Sequence, residues 1–270
     1  MRANTPLVSI IIPAFNRANL IGHSIESIIN QTYLNWELIV VDDRSTDETE
    51  KVVLNYCIKD NRIKYLKRPT SLPKGANTCR NLGFDKAKGE LIKWVDSDDL
   101  LDKIILQEQI NVFNNHPEID LVVCNGVYFT EEGILHNEYW SKYVITENLF
   151  YDYIRNTVRW HVCGCLWKKN FFKTAPYKLG LMNAQEWLMH ATAILRQPIV
   201  KGTDTTLFYV RRSPTGRIST NRNKQYFLNA AKARSLLLLE NVKSSDRSIK
   251  ASLEITKQIL VNAFHAVKNF

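Results

Sequence analysis

The sequence predicts an α/β protein built on a mostly parallel central sheet, and three observations predict it. Short β-branched runs alternate with helical periodicity, the runs are almost continuously apolar, and three of them end in polar or acid-rich turns. Strands covered by helices on both faces read this way. In order, residues 7–12 form a β-branched run ended by Pro13, and Leu20, Ile21, Ile25, Ile28 and Ile29 then recur at helical spacing behind Asn19, a candidate N-cap. Residues 37–41 are a second strand ending at Asp42-Asp43-Arg44-Ser45, Asp47 opens a helix over 49–58, and 63–66 is a third strand. Right-handed crossovers joining parallel strands follow from that alternation. Residues 69–75 (PTSLPKG) form a loop, 76–88 a helix with Gly89 as C-cap, and 91–95 a strand ending in Asp96-Ser97-Asp98-Asp99. A helix over 106–115, stopped by Pro117, precedes a strand over 120–123. Residues 130–180 hold aromatic clusters without period; beyond them come a helix over 185–195, a strand over 206–210 and helices over 224–240 and 248–268.

Composition narrows the class. Of 270 residues, 45% are hydrophobic and 23% charged, with only 10 Gly and 8 Pro, which excludes disordered and collagen-like chains. Five cysteines without a CxxC pair argue against a disulfide scaffold or structural zinc and for a reducing compartment. The apolar run near the N-terminus is too short for a signal peptide, and no run reaches the 18 residues of a membrane span. A soluble, cytoplasmic protein is expected. The net charge is +9, yet the first 200 residues balance at 23 basic and 23 acidic, so the excess lies in residues 201–270.

In parallel α/β sheets, ligands collect at the carboxyl ends of strands. Three such ends here are polar: Pro13-Ala14-Phe15-Asn16-Arg17, Asp42-Asp43-Arg44-Ser45 and Asp96-Ser97-Asp98-Asp99. Carboxylates converging in one cleft repel one another unless a cation lies among them, and a hard ion such as Mg²⁺ or Mn²⁺ suits oxygen ligands. In Asp96-x-Asp98, the two-residue spacing sends both carboxylates to the same side of a strand end. Asp98 or Asp99 capping the following helix is the plainer alternative.

Four segments, VSIIIPAFNR, ELIVVDDRSTDET, KGANTCRNLGFDKAKGELIKWVDSDD and NAQEWL, together resemble a family 2 glycosyltransferase with the GT-A fold. The resemblance is specific over residues 7–125, thinner to 200 and almost nil beyond. It implies a GT-A domain over 1–210, with a nucleotide-binding half (1–125) and an acceptor half (126–210), and a basic helical extension over 211–270. It further implies transfer of a monosaccharide, with inversion, from a nucleotide-sugar donor (a UDP-sugar) to a saccharide or lipid-linked saccharide acceptor in bacterial cell-surface polysaccharide or glycolipid synthesis. By the same resemblance, Pro13, Phe15 and Asn16 floor the nucleotide, Asp43 accepts a hydrogen bond from the base, Lys74 and Arg80 contact the donor, Asp96 meets the ribose or sugar, and Asp98 binds the Mn²⁺ or Mg²⁺. Phe15 reads equally as a core aromatic, Lys74 as a solvated loop residue and Arg80 as a surface helix residue.

Glu186 is the expected general base, since an acceptor hydroxyl must lose its proton during transfer. The family's acidic pair reads Gln185-Glu186 here, with the first acid replaced. Glu186 could alternatively serve the helix dipole. The family's late metal-site His is missing from residues 209–214, where Arg211 and Arg212 could bind diphosphate instead. His161, Cys163, Cys165 and His190 are discounted as a transition-metal site, because Cys-Gly-Cys is too close for zinc spacing.

Two other classes remain. A sugar nucleotidyltransferase needs a Gly-rich phosphate loop, which PAFNRANL lacks. A non-catalytic carbohydrate or nucleic-acid binder would use the basic tail, although acid-rich strand ends argue against nucleic acid in that cleft. In the tail, Lys243, Lys250 and Lys257 recur every seven residues with Lys268 beyond, beside an apolar face of Leu253, Leu260, Phe264 and Val267. That pattern suits peripheral contact with an anionic membrane at its inner face, as well as a plain solvated face.

Overall fold

The computed structural model describes residues 5–212, 223–244 and 248–268. Ser213 and Pro214 of the late segment, and Arg217, Arg222 and Arg247 of the basic tail, lie outside these. The chain divides into two compact units: Met1–Trp140 with Trp160–Tyr177 and Pro198–Arg212, and Ser141–Arg159 with Lys178–Gln197 and Ser213–Phe270.

The first unit opens with β1 (Val8–Ala14), α1 (Ile21–Ile29), β2 (Trp36–Asp42), α2 (Thr49–Lys59), β3 (Ile63–Lys67), α3 (Ala76–Lys86) and β4 (Leu91–Trp94). It continues with β5 (Leu100–Leu101), α4 (Ile105–Asn115), β6 (Leu121–Thr130), β7 (Gly133–Tyr139), β8 (Cys165–Lys168) and β9 (Val200–Arg211). The sheet order is β3-β2-β1-β4-β8-β6-β9-β5, with β7 hydrogen-bonded to β6. β1 to β4 are parallel, as expected, and every residue of β1, β2 and β4 is buried. β8 then runs antiparallel to β4 and β6, and β9 lies parallel to β6. The strand order reverses between β1 and β4, which makes their carboxyl ends a topological switch point.

Buried polar groups in this sheet are satisfied by residues far along the chain. Glu37 accepts from Ser9 Oγ at 2.7 Å, Lys64 Nζ at 2.5 Å and the Lys88 backbone N–H at 2.6 Å. Lys93, fully buried on β4, donates to Gln109 Oε1 at 3.0 Å. Part of the central aromatic cluster is core, with Tyr153, Trp160, Trp167 and Phe172 buried: Trp94 packs edge-on against Phe172 and Tyr177, and Trp167 lies against Phe171 and Phe172.

Three local expectations are corrected. Asn19 does not cap α1; its N-cap is Leu20, without a side-chain bond, and the turn before it is held by Thr49 and Asp47 accepting the Arg17 and Ala18 N–H groups. Gly89 is not a C-cap, since α3 ends at Lys86; it passes so close to β1 that an added Cβ would lie 2.5 Å from the Leu7 carbonyl oxygen. Neither Asp98 nor Asp99 caps a helix; Asp102 Oδ1 accepts the Ile104 N–H just before α4.

The second unit is helical in its regular elements among the described residues: α5 (Leu149–Ile154), α6 (Gln185–Ile194), α7 (Lys224–Lys243) and α8 (Ile249–Lys268). Asn223 caps α7 through the Tyr226 N–H. The fully buried Asn241 ties α7 to α8, donating to Ser248 O at 3.1 Å and Ser252 Oγ at 2.8 Å. Lys243 closes α7, so it does not share one helix with Lys250, Lys257 and Lys268, contrary to the heptad pattern. Among the described residues, no helix is long and apolar enough to cross a membrane.

Candidate active site

The carboxyl ends of β1, β2 and β4 meet at the switch point. Pro13 lies within β1 opposite Val41. Beyond the strand, Asn16 takes a left-handed φ of 52°, and its Oδ1 accepts the Thr46 N–H at 2.8 Å while its own N–H donates to Ser45 Oγ at 2.9 Å. The β1 and β2 turns are thus cross-linked. Arg44 is also left-handed, with φ 64°. Non-glycine residues in that region cost free energy and concentrate at functional sites.

Asp42 and Asp43 take different partners. Asp42 is the turn-former, accepting the Ser45 N–H at 3.0 Å and the Tyr65 hydroxyl at 3.0 Å. Asp43 is buried, pairs with the buried Arg68 and accepts the Gly75 N–H at 2.9 Å. Gly75 has φ 135°, a conformation open essentially to glycine alone, so this bond fixes how the 69–75 loop returns to the site. Lys74 lies over the Phe15 ring at 4.1 Å. Phe15 is therefore a loop aromatic, 37% exposed, and not a core residue.

At the end of β4, each carboxylate has a guanidinium nearby. Arg80 is buried and donates to Asp96 Oδ1 at 2.7 Å, which sets aside its reading as a surface arginine. Partial burial pushes the Asp96 carboxyl up, but the charge of Arg80, with His161 and Arg17 behind it, outweighs this and holds it below the ordinary carboxylate range. The Asp98 side chain is 35% exposed, and Arg17 Nε stands 4.0 Å from its Oδ2. Asp99 is buried and anchors the loop: its Oδ1 accepts the Arg211 N–H at 2.9 Å and its carbonyl accepts Ser24 Oγ at 2.8 Å.

That anchor explains why β9 reaches the site. β5, directly after Asp99, pairs with β9 and brings Arg211 alongside, where its Nε donates to the Asp98 carbonyl at 3.2 Å. Arg211 also pairs with Glu131 at 2.5 Å, and Arg212 pairs with Glu138 at 2.5 Å while lying over the Tyr128 ring.

His161 and Cys163, discounted as metal ligands, do approach Asp99: the three offer ligand atoms within 4.8 Å of one another. His161 Nε2 is 3.4 Å from Asp99 Oδ2, and its Nδ1 accepts the Cys163 N–H. Burial, followed by the Asp99 and Asp96 charges, pushes the Cys163 thiol well above its ordinary range. Cys163 Sγ also lies 3.8 Å from Asp99 Oδ2, so both His161 and Cys163 are gathered on the Asp99 carboxylate. His190 lies in the other unit, with Nδ1 3.4 Å from the Tyr153 hydroxyl.

Glu186 stands in the second unit, in the first turn of α6. The turn before it is held by Asn183 donating to Tyr226 O and by Asn229 accepting the Met182 N–H. Ala184 there adopts φ 54°, a strained conformation for alanine that aims the start of α6. Trp187 stacks under Arg234 at 4.5 Å.

Sequence reasoning assigned no role to Arg17 or Arg68, although both are cations at strand ends next to acid-rich turns, which is a usable signal. Tyr177, under Arg80 at 5.1 Å, carried none. A cavity of about 610 Å³ lies elsewhere, at the amino ends of β1 and β4, lined by Phe84, Phe172 and Lys88. It holds no converging carboxylates, so the switch point is the better site.

Comparison with known proteins identifies the family. The family model described as Glycosyl transferase family 2 matches residues 9–175. A glycosyltransferase of Haemophilus influenzae is 40% identical over 126 residues, covering 46% of this chain and 48% of its own length. The chain thus spans about half or less of the first curated relatives it matches. An Escherichia coli relative named UDP-Glc:alpha-D-GlcNAc-diphosphoundecaprenol beta-1,3-glucosyltransferase WfgD is 36% identical over 148 residues, 54% of each chain. Among solved structures, S. aureus TarS with UDP-GlcNAc aligns with TM-score 0.71 at 21% identity, covering 95% of this chain and 72% of that one. A mannosyltransferase of Pyrobaculum calidifontis, PcManGT with GDP-Man and Mn2+, aligns with TM-score 0.64 at 14% identity, covering 98% and 74%. These structures establish the GT-A type of fold. With the family model matched across more than half its length, this chain belongs to the family 2 glycosyltransferases.

Proposed function

We propose that the protein transfers a monosaccharide from a UDP-sugar to a saccharide or lipid-linked saccharide hydroxyl, in bacterial surface polysaccharide or glycolipid synthesis, with inversion. The observation carrying this reading is the convergence of Asn16, Asp43, Asp96 and Asp98 at the β1/β4 switch point, where a nucleotide-sugar would lie. The UDP-sugar in the E. coli relative's name and the UDP-GlcNAc bound to TarS support the choice of donor.

In this reading Pro13, Phe15, Asn16 and Asp43 hold the nucleoside, with Lys74 over Phe15 closing one side. Arg80 keeps Asp96 ionised and oriented toward the ribose or sugar. The donor set fits a divalent cation: Asp98 offers partly exposed carboxylate oxygens beside Asp96, the hard ligands that Mn²⁺ or Mg²⁺ prefers. Asp98 would hold the ion, whose chemistry is to stabilise charge on a departing diphosphate. Arg211 and Arg212 stand as the diphosphate contacts in place of the family's His.

Glu186 is proposed to take the proton of the acceptor hydroxyl as its oxygen bonds to the anomeric carbon. The bond from that carbon to the diphosphate oxygen breaks, and nucleoside diphosphate leaves with the electron pair. Attack opposite the leaving group inverts the centre. The basic C-terminal helices are proposed to contact an anionic membrane, where lipid-linked acceptors reside.

A thermal-shift panel of UDP-, GDP-, CMP- and dTDP-sugars with Mn²⁺ tests the donor. Stabilisation by a UDP-sugar at concentrations well above its Kd, about 2.7 kcal/mol at a hundredfold excess, is expected. A flat panel would remove the reading.

A further inference from the structure

Most of the large apolar residues of α8 do not face the protein. Ala251, Ile255 and Ala266 form the buried line of the helix, and most of its other large apolar side chains lie elsewhere on it. Ile249, Leu253, Leu260, Phe264 and Val267 are 66, 68, 65, 62 and 69% exposed. Their spacing places all five within a narrow stripe at 3.6 residues per turn, and Lys250, Lys257 and Lys268 fall along one border of it. Glu254 is turned away from the stripe by about a quarter of a turn and accepts a hydrogen bond from Gln258 at 2.9 Å. Most of the larger apolar residues of the helix are thus spent outward, with Ile255 the large one that is fully buried.

Water-soluble proteins seldom leave so continuous an apolar strip open, and such strips mark contact surfaces. Length and charge select the occupant. Twenty residues extend for about 30 Å, a straight ridge suited to a flat surface. A second copy docked antiparallel through the same stripe, about a two-fold axis perpendicular to the helix, would set lysine row near lysine row, which like-charge repulsion opposes. An anionic lipid surface instead accepts the five apolar side chains among its acyl chains, while the lysines extend along the interface to the headgroups. Lys250 is shared, with its ammonium 4.2 Å over the Tyr151 ring, which leaves Lys257 and Lys268 as the stronger headgroup contacts.

We infer that the outward face of α8 is the membrane-docking surface of this protein, lying in the plane of an anionic lipid layer with Ile249, Leu253, Leu260, Phe264 and Val267 inserted. This deepens the membrane contact proposed above and rests on it.

Flotation of the full chain with vesicles tests the inference. With phosphatidylcholine containing about one-third phosphatidylglycerol, the protein should float, and with pure phosphatidylcholine it should not. Leu253→Ser/Leu260→Ser/Phe264→Ser should weaken binding at least tenfold, and Lys257→Glu/Lys268→Glu should abolish the preference for phosphatidylglycerol. These side chains are exposed, so unchanged circular dichroism and unchanged UDP-sugar affinity by calorimetry should accompany the loss. Wild-type protein that fails to float would overturn the membrane contact itself. Flotation that survives the serine substitutions would overturn this face as its seat. A dimer in light scattering that the serine substitutions dissociate, without flotation of the wild type, would assign the stripe to a second copy and refute the inference.

Discussion

The two units spend their residues differently. In the sheet-bearing unit, buried charged groups are each matched to a partner: Arg80 to Asp96, Arg68 to Asp43, Glu37 to Lys64. In the helical unit, apolar groups are pushed outward along α8, and the acid of interest, Glu186, sits at the start of a helix whose entry is strained at Ala184. A preorganised array of charges holds a charged ligand in place at little reorganisation cost. An exposed stripe and a single acid at a helix start suit a partner brought from outside. Under the proposed function the difference corresponds to two tasks, holding the donor and receiving the acceptor, and each should then be open to disturbance without the other.

The largest effect is expected at the centre of the charged array. Asp98→Ala should lower turnover about a thousandfold or more and weaken donor binding in the presence of Mn²⁺, read by UDP release and calorimetry. Retention of both would break the contrast. Next, Arg80→Met leaves Asp96 without its partner; because the Asp96 side chain keeps 30% of its exposure, a loss of about 2–3 kcal/mol in unfolding free energy is expected.

Glu37 gives a pH test within the same unit. Burial pushes its carboxyl up, while hydrogen bonds from Lys64, Lys88 and Ser9 more than offset this and hold it below the ordinary 4.5. The native state therefore binds fewer protons than the unfolded state near that pH, so the stabilisation is full above 4.5 and is lost as pH falls through the lowered value. Glu37→Gln should cost about 1–2 kcal/mol at pH 7, and its difference from wild type should shrink below pH 4.5 in urea unfolding. A constant difference would contradict the assignment. The smallest effect belongs to the helical unit: Ala184→Gly relieves a left-handed alanine and should stabilise by about 0.5–1 kcal/mol. Loss of turnover in that variant, despite higher melting temperature, would tie the strained turn to the placement of Glu186.

Much of the first unit is legible in the sequence because its parallel strands are buried on both faces. β1 and β2 read as apolar runs for that reason, and the polar turns following them stand out. The charged residues inside strands do not read. Glu37 and Lys93 look solvated until Ser9, Lys64 and Gln109, 28, 27 and 16 residues away, are folded against them. Arg17 and Arg68 were passed over because a cation beside an acid-rich turn acquires meaning only once the turns converge. Residues 130–180 resist reading because the sheet changes direction there. β8 is four residues long and antiparallel on both sides, too short to show a period of two. Asn19 and Gly89 are good capping residues by type, but Asn19 follows a turn held by Thr49 and Asp47, and Gly89 lies against β1. In α8 the spacing is plain, but spacing cannot tell which face a helix turns outward.

Titration of a UDP-sugar with Mn²⁺ into wild-type protein and Glu186→Gln, with turnover measured on the same preparations, tests the division most directly. Donor affinity unchanged within twofold with turnover reduced at least a hundredfold is the expected result. Parallel loss of affinity and turnover would place Glu186 among the donor-holding charges and contradict the separation of tasks between the two units.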